Sequence, residues 1–373
     1  MKDNELFLRK DEEIMLKMRT LFEQHGYRKF KMSKFEEYDF YAENRSFLNS
    51  KSILTFTGNN GKLLALKPDI TLSIVKTTKA DRIISDRVYY TENVYRARKE
   101  SGEFKEIMQA GIEYIGEIDD STEMEVLLLA QKCLEATGEE YLLTLSHMGF
   151  MKGLMEEAHL EERQQKYLLT LLSNRNAHGL RSLCKELDVK EEDIVKLETL
   201  LGIYGTIEEV LPQIRRLSCN KMTDEAVEEL EKIKKFTKAF GIEHYFYIDF
   251  SIVNDMDYYN GIVFQGFLKK ISNVILSGGR YDNIVHKFGK DADAIGFAFA
   301  IDLLQKLDEN KKEFDVDVLL VYDEDVDTVS LMQAAEVFRN NGQTVLTVER
   351  DHAKVRYKQR IHMKEGGLEI GRE

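Results

Sequence analysis

Cysteine is scarce in this chain, and the three present, Cys133, Cys184 and Cys219, lie far apart. Their spacing fits neither a disulfide framework nor a Cys-x-x-Cys metal pattern, which leaves buried, reduced thiols. His147, His159 and His178 show no His-x-x-x-His or His-Glu-x-x-His spacing, so no metal ligands are expected among them. Long apolar runs are also missing: none approaches the roughly 20 residues that span a bilayer. The opening Met-Lys-Asp-Asn-Glu has no apolar core for a signal peptide, and a cytoplasmic location without membrane association is expected. Basic charge is outweighed, with 53 Lys and Arg against 66 Asp and Glu and a net charge of −13. A sequence-independent grip on phosphates relies on clustered cations, so no nucleic-acid partner is expected.

What is present is the material of an ordinary globular protein. With 373 residues and 43% hydrophobic content the chain can build one large domain and a smaller one. Ile14, Met15, Met18 and Leu21/Phe22 recur at helical spacing over 12–24, and His25-Gly26 stops that helix. Residues 27–41 alternate apolar and charged side chains, which predicts a strand and its exit. Residues 53–66 read as a hairpin around Gly58-Asn59-Asn60-Gly61. Pro68, one of two prolines, stands just before a helix carrying Leu72, Ile74 and Val75. Asp69 and Thr71 fall near its electropositive start, where they serve equally as caps or as ligand contacts.

Residues 87–116 read as two strands joined by the charged loop 96–105. Such a loop can fold Arg96, Arg98 and Lys99 over a carboxylate or phosphate. Gln109 and Glu113 lie four apart on the second strand, hence on one face, which is either solvated or a pocket wall. A helix over 121–137 and a strand over 141–145 follow. Residues 148–241 change character to short helices, the clearest spanning 223–240 before Gly241, and predict a helical insertion.

Strand residues 244–251 lead into the stretch around which the chain is organised. Residues 258–267 are β-rich, Lys269 and Lys270 begin a polar break, and Val274 to Leu276 leads to a predicted turn at Gly278-Gly279. Bare glycine backbone with Tyr258, Tyr259, Tyr281, Asp257 and Asp282 nearby suits a small cationic, partly aromatic ligand. The same residues suit a hairpin with core tyrosines, and taken alone they leave both readings open. Residues 291–305 read as a strand running into a helix. After about residue 314 come a strand (316–322), a helix (329–339), a strand (344–348) and a charged, partly disordered tail.

Five motifs in consistent order over residues 5–310 resemble histidyl-tRNA synthetase. Tyr258-Tyr259 and Gly278-Gly279-Arg280-Tyr281-Asp282 resemble its signatures Arg-Gly-Leu-Asp-Tyr-Tyr and Gly-Gly-Arg-Tyr-Asp, but Asn254 and Asp255 stand where the catalytic arginine and the next glycine belong. Residues 12–41 loosely resemble class II motif 1, the dimer-forming element, with Ser33 at its usual proline. Leu66-Lys67-Pro68-Asp69-Ile70-Thr71 resembles Leu-Arg-Pro-Glu-Gly-Thr, whose acid and threonine hold the amino group of histidine. Gln109-Ala-Gly-Ile-Glu113 matches Gln-x-Gly-x-Glu, whose polar side chains contact histidine. Arg96 is kept in motif 2, but Arg98 replaces its ATP-reading glutamate. Gly296 and Phe297 are kept in motif 3, but Leu303 replaces the arginine that stacks on ATP.

The resemblance implies an α+β fold: a class II synthetase-like antiparallel sheet flanked by helices over 1–313, with the insertion at 148–241 and a small C-terminal α/β remnant over 314–373. Losing one charge-stabilising donor costs about 2.7–4 kcal/mol in a transition state. Several such losses imply no catalytic residues and no cofactor. The expected histidine site comprises Asp69, Thr71, Arg96, Gln109, Glu113, Tyr258, Tyr259, Gly278, Gly279 and Tyr281. This combination resembles the regulatory subunits of short-form ATP phosphoribosyltransferase (HisZ). That implies self-association as a dimer, a catalytic HisG partner and feedback inhibition by L-histidine. Alternatives are a divergent synthetase and a scaffold that binds no histidine.

Overall fold

A computed structural model describes residues 8–48, 52–97, 102–252, 258–307, 314–349, 354–364 and 367–370. The chain forms two compact units, one of Lys10–Leu307 and one of Met1–Arg9 with Asp308–Glu373. No helix among the described residues is long and apolar enough to cross a membrane.

In the larger unit, helix α1 (Lys10–Gln24) buries Ile14, Met18 and Phe22 on one stripe. Strands β1 (Arg28–Lys29) and β2 (Phe35–Glu37) follow, then helix α2 (Tyr38–Glu43). The single strand expected over 27–41 is thus divided, because β1 pairs with the main sheet and β2 with a small one. The hairpin β3 (Thr55–Thr57) and β4 (Leu63–Leu66) completes that small sheet, in the order β2-β4-β3. Helix α3 (Thr71–Thr77) precedes the long hairpin β5 (Asp86–Ala97) and β6 (Phe104–Gly116). Helix α4 (Asp120–Glu135) and strand β7 (Tyr141–His147) come next.

Helices α5 (Met148–Glu157), α6 (Glu162–Ser173), α7 (Ala177–Glu186) and α8 (Glu191–Gly202) lead to β8 (Tyr204–Thr206). Helices α9 (Ile207–Leu217) and α10 (Lys221–Phe240) then lead to β9 (Phe246–Asp249). The sequence reading did not foresee β8, since three residues are too short for a periodic signal. β7 and β9 pair in parallel. Parallel neighbours need a long crossover, and the helical segment supplies it. Asn220 caps α10 by accepting from the Thr223 amide, and Gly241 ends it at φ 69°.

The sheet closes with β10 (Ile262–Leu268), β11 (Ile271–Arg280) and β12 (Asp293–Ala300), the last two joined through helix α11 (Asp282–Lys287). Nine strands lie in the order β1-β5-β6-β12-β11-β10-β7-β9-β8. Side chains alternate across it. Tyr89, Ile112 and Phe297 join a core with α1, α4 and the helical segment, whereas Tyr90, Val94 and Ile115 join a second core with α2, α3 and α11.

In the smaller unit, β13 (Val316–Tyr322), helix α12 (Thr328–Asn340), β14 (Val345–Val348), β15 (Tyr357–Lys364) and β16 (Gly367–Ile370) form a sheet ordered β14-β13-β15-β16. The polar tail expected after 348 therefore contains two strands. In β15 the inward residues Ile361 and Met363 alternate with polar neighbours, so the average polarity hid a period of two.

Candidate functional site

The candidate site lies on the α3 and α11 side of the sheet. One row of partners crosses it: Val88 opposite Glu113, Glu113 opposite Gly296, Gly296 opposite Gly279, Gly279 opposite Val263. A Cβ on Gly296 would stand 1.9 Å from the Glu113 carboxylate, and a Cβ on Gly279 would stand 2.7 Å from the Tyr259 ring. The two glycines therefore let an acid and an aromatic ring lie flat on the sheet. That is a floor for a pocket, made by removing side chains.

Glu113 is only 2% exposed. Its Oε1 accepts from the Thr71 hydroxyl at 2.6 Å and its Oε2 from the Tyr281 hydroxyl at 2.5 Å. Burial nonetheless pushes its pKa up to about 8; those two donors oppose the shift, and the nearby Asp69 charge adds to it. Burial likewise raises the Asp69 carboxyl, against the pull of the Arg96 guanidinium and the Leu72 and Thr71 amides. Asp69 Oδ1 accepts from the Leu72 amide at 2.9 Å, so Asp69 caps the start of α3 as well as facing the pocket. Arg96 Nε donates to the Pro68 carbonyl at 2.8 Å, and its guanidinium sits 3.8 Å from Asp69 Oδ2. In this state Arg96 braces the Pro68-Asp69 segment.

Tyr258 and Tyr259 precede β10, with ring centroids 4.5 Å apart, and Tyr258 lies 5.9 Å from Tyr281. Asp69, Thr71, Arg96, Gln109, Glu113, Tyr258, Tyr259 and Tyr281 all line one narrow cavity of about 50 Å³. It adjoins a wider cleft of about 640 Å³, with Arg96, Gln109, Tyr258 and Tyr259 common to both. Leu303 lines that cleft, and Lys105 bonds Asp302 across its wall at 2.6 Å. Two acids whose ionised forms burial disfavours, next to the phenol rings of Tyr258, Tyr259 and Tyr281, form a receptor for a cationic or hydrogen-bond-donating group.

The two remaining expected residues behave differently. Gly278 and Gly279 lie inside β11, paired on both sides, and not in a turn. The flanking run 274–280 is continuous strand because the neighbouring strands take up its backbone groups. Gly278 faces the opposite core, where a Cβ would meet Phe297 and Phe264 within 2.5 and 2.7 Å. Gly279 shapes the pocket only by admitting Tyr259. Arg98, Lys99, Asn254, Asp255 and Asp257 lie outside the described residues.

The sequence reading missed Tyr90, Ser277 and the pocket role of Gly296, which also line the cavity. Gly296 was legible only through the register that sets it against Glu113. Lys67 was missed as well: it is 1% exposed, bonds Glu92 at 2.9 Å, and receives the Tyr95 amide on its carbonyl, which fixes Pro68 beside Arg96. Among the described residues no cluster of His, Cys, Asp and Glu could hold a metal ion.

The family model for histidyl-tRNA synthetase matches residues 5–304. The ATP phosphoribosyltransferase regulatory subunit of Acetivibrio thermocellus is 29% identical over 92% of this chain and 83% of its own length. That of Clostridium kluyveri is 31% identical over 79% and 77%. Among solved structures, an ATP phosphoribosyltransferase regulatory subunit/histidyl-tRNA synthetase from Bacillus halodurans superposes with a TM-score of 0.82 at 25% identity, over 95% of this chain and 94% of that one. A chain of the HisG:HisZ complex from Thermotoga maritima shares the fold, with a TM-score of 0.62 at 16% identity over 79% and 98%. Built on the histidyl-tRNA synthetase fold, the chain belongs to the family of ATP phosphoribosyltransferase regulatory subunits.

Proposed function

We propose that this chain is the histidine-sensing subunit of a short-form ATP phosphoribosyltransferase, acting in the cytoplasm in complex with the catalytic chain. As a regulatory subunit it leaves the chemistry to that partner. The HisG:HisZ complex of Thermotoga maritima, built on the same fold, supports this form of assembly. L-Histidine enters the cavity with its ammonium at Asp69 and Thr71, its imidazole against Glu113 and the tyrosine rings, and its carboxylate toward Gln109 and Arg96.

The observation that carries the reading is Glu113: a buried carboxyl with a pKa of about 8, held by Thr71 and Tyr281 in a lined cavity. A purely structural acid needs no cavity. A cationic ligand stabilises the carboxylate that burial otherwise disfavours, and the Arg96 brace can pivot from Asp69 to the ligand.

Calorimetric titration tests the reading. Histidine should bind the intact chain, and Glu113→Gln should weaken it at least tenfold, about 1.4 kcal/mol, with folding intact. Equal affinity in the two proteins would remove Glu113 from the site. In the complex, phosphoribosyltransferase activity should require this chain and fall with histidine. By linkage, the factor by which the catalytic partner shifts histidine affinity should equal the factor by which histidine shifts affinity for that partner, typically about 5–150-fold.

Self-association belongs to the same proposal. Phe35 and Phe56, 48% and 39% exposed, meet edge-to-face at 5.7 Å on the open face of the small β2-β4-β3 sheet. An exposed aromatic pair on a sheet face suits a two-fold interface.

A further inference from the structure

Two of the tyrosines at the Glu113 pocket stand outside the strand ladders. Pairing between β11 and β12 ends with Arg280 opposite Ile295, and Tyr281 follows at φ −138° and ψ 47°, where the chain turns out of the sheet into α11. One bond returns Tyr281 to the sheet, from its amide to the Ala294 carbonyl at 2.8 Å. Tyr259 comes before β10, which begins at Ile262. Both rings nonetheless hold defined places, since Tyr281 gives its hydroxyl to Glu113 and Tyr259 lies over Gly279. Something other than sheet pairing must set them relative to each other.

The residues that follow them hold one another. Asn260 comes after Tyr259, and Asp282 comes after Tyr281. Asn260 Nδ2 donates to Asp282 Oδ2 at 2.8 Å, and Asn260 Oδ1 accepts the Asp282 amide at 2.9 Å. An amide side chain offers an acceptor and a separate donor, so one residue satisfies both an N–H and a carboxylate. The Asn260 amide also donates to the Arg280 carbonyl at 3.1 Å. Three bonds thus join the two short segments that carry the tyrosines. Asp282, 5% exposed, is anchored in turn: its Oδ2 accepts from Arg280 Nε at 2.7 Å and its Oδ1 from the Ala294 amide at 3.0 Å. On the other side Gly261 accepts the Met148 amide at 2.9 Å, which ties the segment after Asn260 to the first turn of α5. The sequence suggested Asp282 as a neighbour of the ligand, yet neither Asp282 nor Asn260 lines the narrow cavity. Their bonds are made behind it.

We propose that Asn260 and Asp282 are positioning residues of the histidine site, whose reciprocal pair fixes Tyr259 and Tyr281 relative to Glu113. Charge-assisted bonds out of water are strong and directional, so this clasp restricts both rings before a ligand arrives. The proposal rests on the histidine reading of the pocket for what the tyrosines receive, but not for where they stand. Asp69, Tyr90 and Arg96 face Glu113 from other segments and are left in place by the variants below.

Two measurements on the full chain test it. The first follows the Glu113 carboxyl by its carbon-13 resonance, assigned by its loss in Glu113→Gln; the parent should titrate at about 8. Asn260→Ala releases Tyr281, and because that donor favours the carboxylate the midpoint should rise by about one pH unit, the worth of one bond to a charged acceptor. The second is calorimetry, in which Asn260→Ala should weaken histidine about tenfold. Asp282→Asn leaves a donor facing a donor within the clasp, should move both readings the same way, and keeps the test sound where Asn260→Ala folds poorly. Asn220→Ala, which loses the cap of α10, controls for a plain loss of stability and should move neither. A midpoint unmoved in both clasp variants would overturn the proposal whatever happens to their melting, as would a moved midpoint with unchanged histidine affinity. If the parent binds no histidine, the reading of the pocket fails, and the midpoint still decides whether the clasp places Tyr281.

Discussion

In the proposed histidine site, one proton on Glu113 links stability to ligand binding. Its carboxyl titrates near 4.5 when free and near 8 in the folded chain. Between those values the folded state holds more protons than the unfolded one, so stability from this group is full below about pH 4.5 and is lost as pH rises toward 8. At about 1.4 kcal/mol per unit the loss is on the order of a few kcal/mol. The ligand-free chain should therefore show a melting temperature that declines across this window, and Glu113→Gln should flatten the decline. That amide copies the neutral acid, so near pH 7.5 it should raise stability while weakening histidine. A variant that lowered both would show that Glu113 acts only as a structural acid. Gly296 gives a sharper geometric prediction. A methyl there stands 1.9 Å from the Glu113 carboxylate, with the Ile112 carbonyl at 2.3 Å. Gly296→Ala should displace the acid, cost about 1–3 kcal/mol by overpacking, and reduce histidine affinity; unchanged affinity by calorimetry would mean that the floor is not needed. The identities of Asp69, Thr71, Gln109, Glu113, Tyr259 and Tyr281 were legible in the sequence because each sits in a short motif. Tyr90 and Ser277 were not, since only pairing across strands brings them to the cavity.

At the scale of elements, capping and alternation account for most of what the sequence disclosed. Helix α10 was readable from its apolar stripe and Gly241, and the structure adds Asn220, which also donates to the Gly153 carbonyl at 2.8 Å. Asn220→Ala should cost about 1–2 kcal/mol through the lost cap, seen as a shift in urea midpoint without change of slope. A cost near zero would mean that packing alone holds α10. Where elements were misread, a neighbour supplied what local propensity lacked. The Gly278-Gly279 pair looked like a turn, yet β10 and β12 bond its backbone on either side and hold it extended. β15 looked like polar tail, but parallel pairing with β13 turns Ile361 inward.

For the whole molecule, the exposed Phe35 and Phe56 pair predicts the assembly state. Sedimentation should show a dimer for the parent chain, and Phe35→Ser with Phe56→Ser should shift it toward monomer at micromolar concentration. If the double variant sediments like its parent, the small sheet is not the interface. The sequence by itself determined the class of the fold, the order of its motifs and the loss of synthetase chemistry. Those rest on residue type and spacing along the chain, as with Leu303 at an arginine's place. Only the tertiary structure decided that Glu113 lies over Gly296, that Tyr259 lies over Gly279, and that Asn260 bonds Asp282. Each of these meetings joins residues at least 20 positions apart in the sequence, from 279 and 259 at the nearest to 296 and 113 at the farthest. Their meeting depends on strand register and helix packing, which no local pattern encodes.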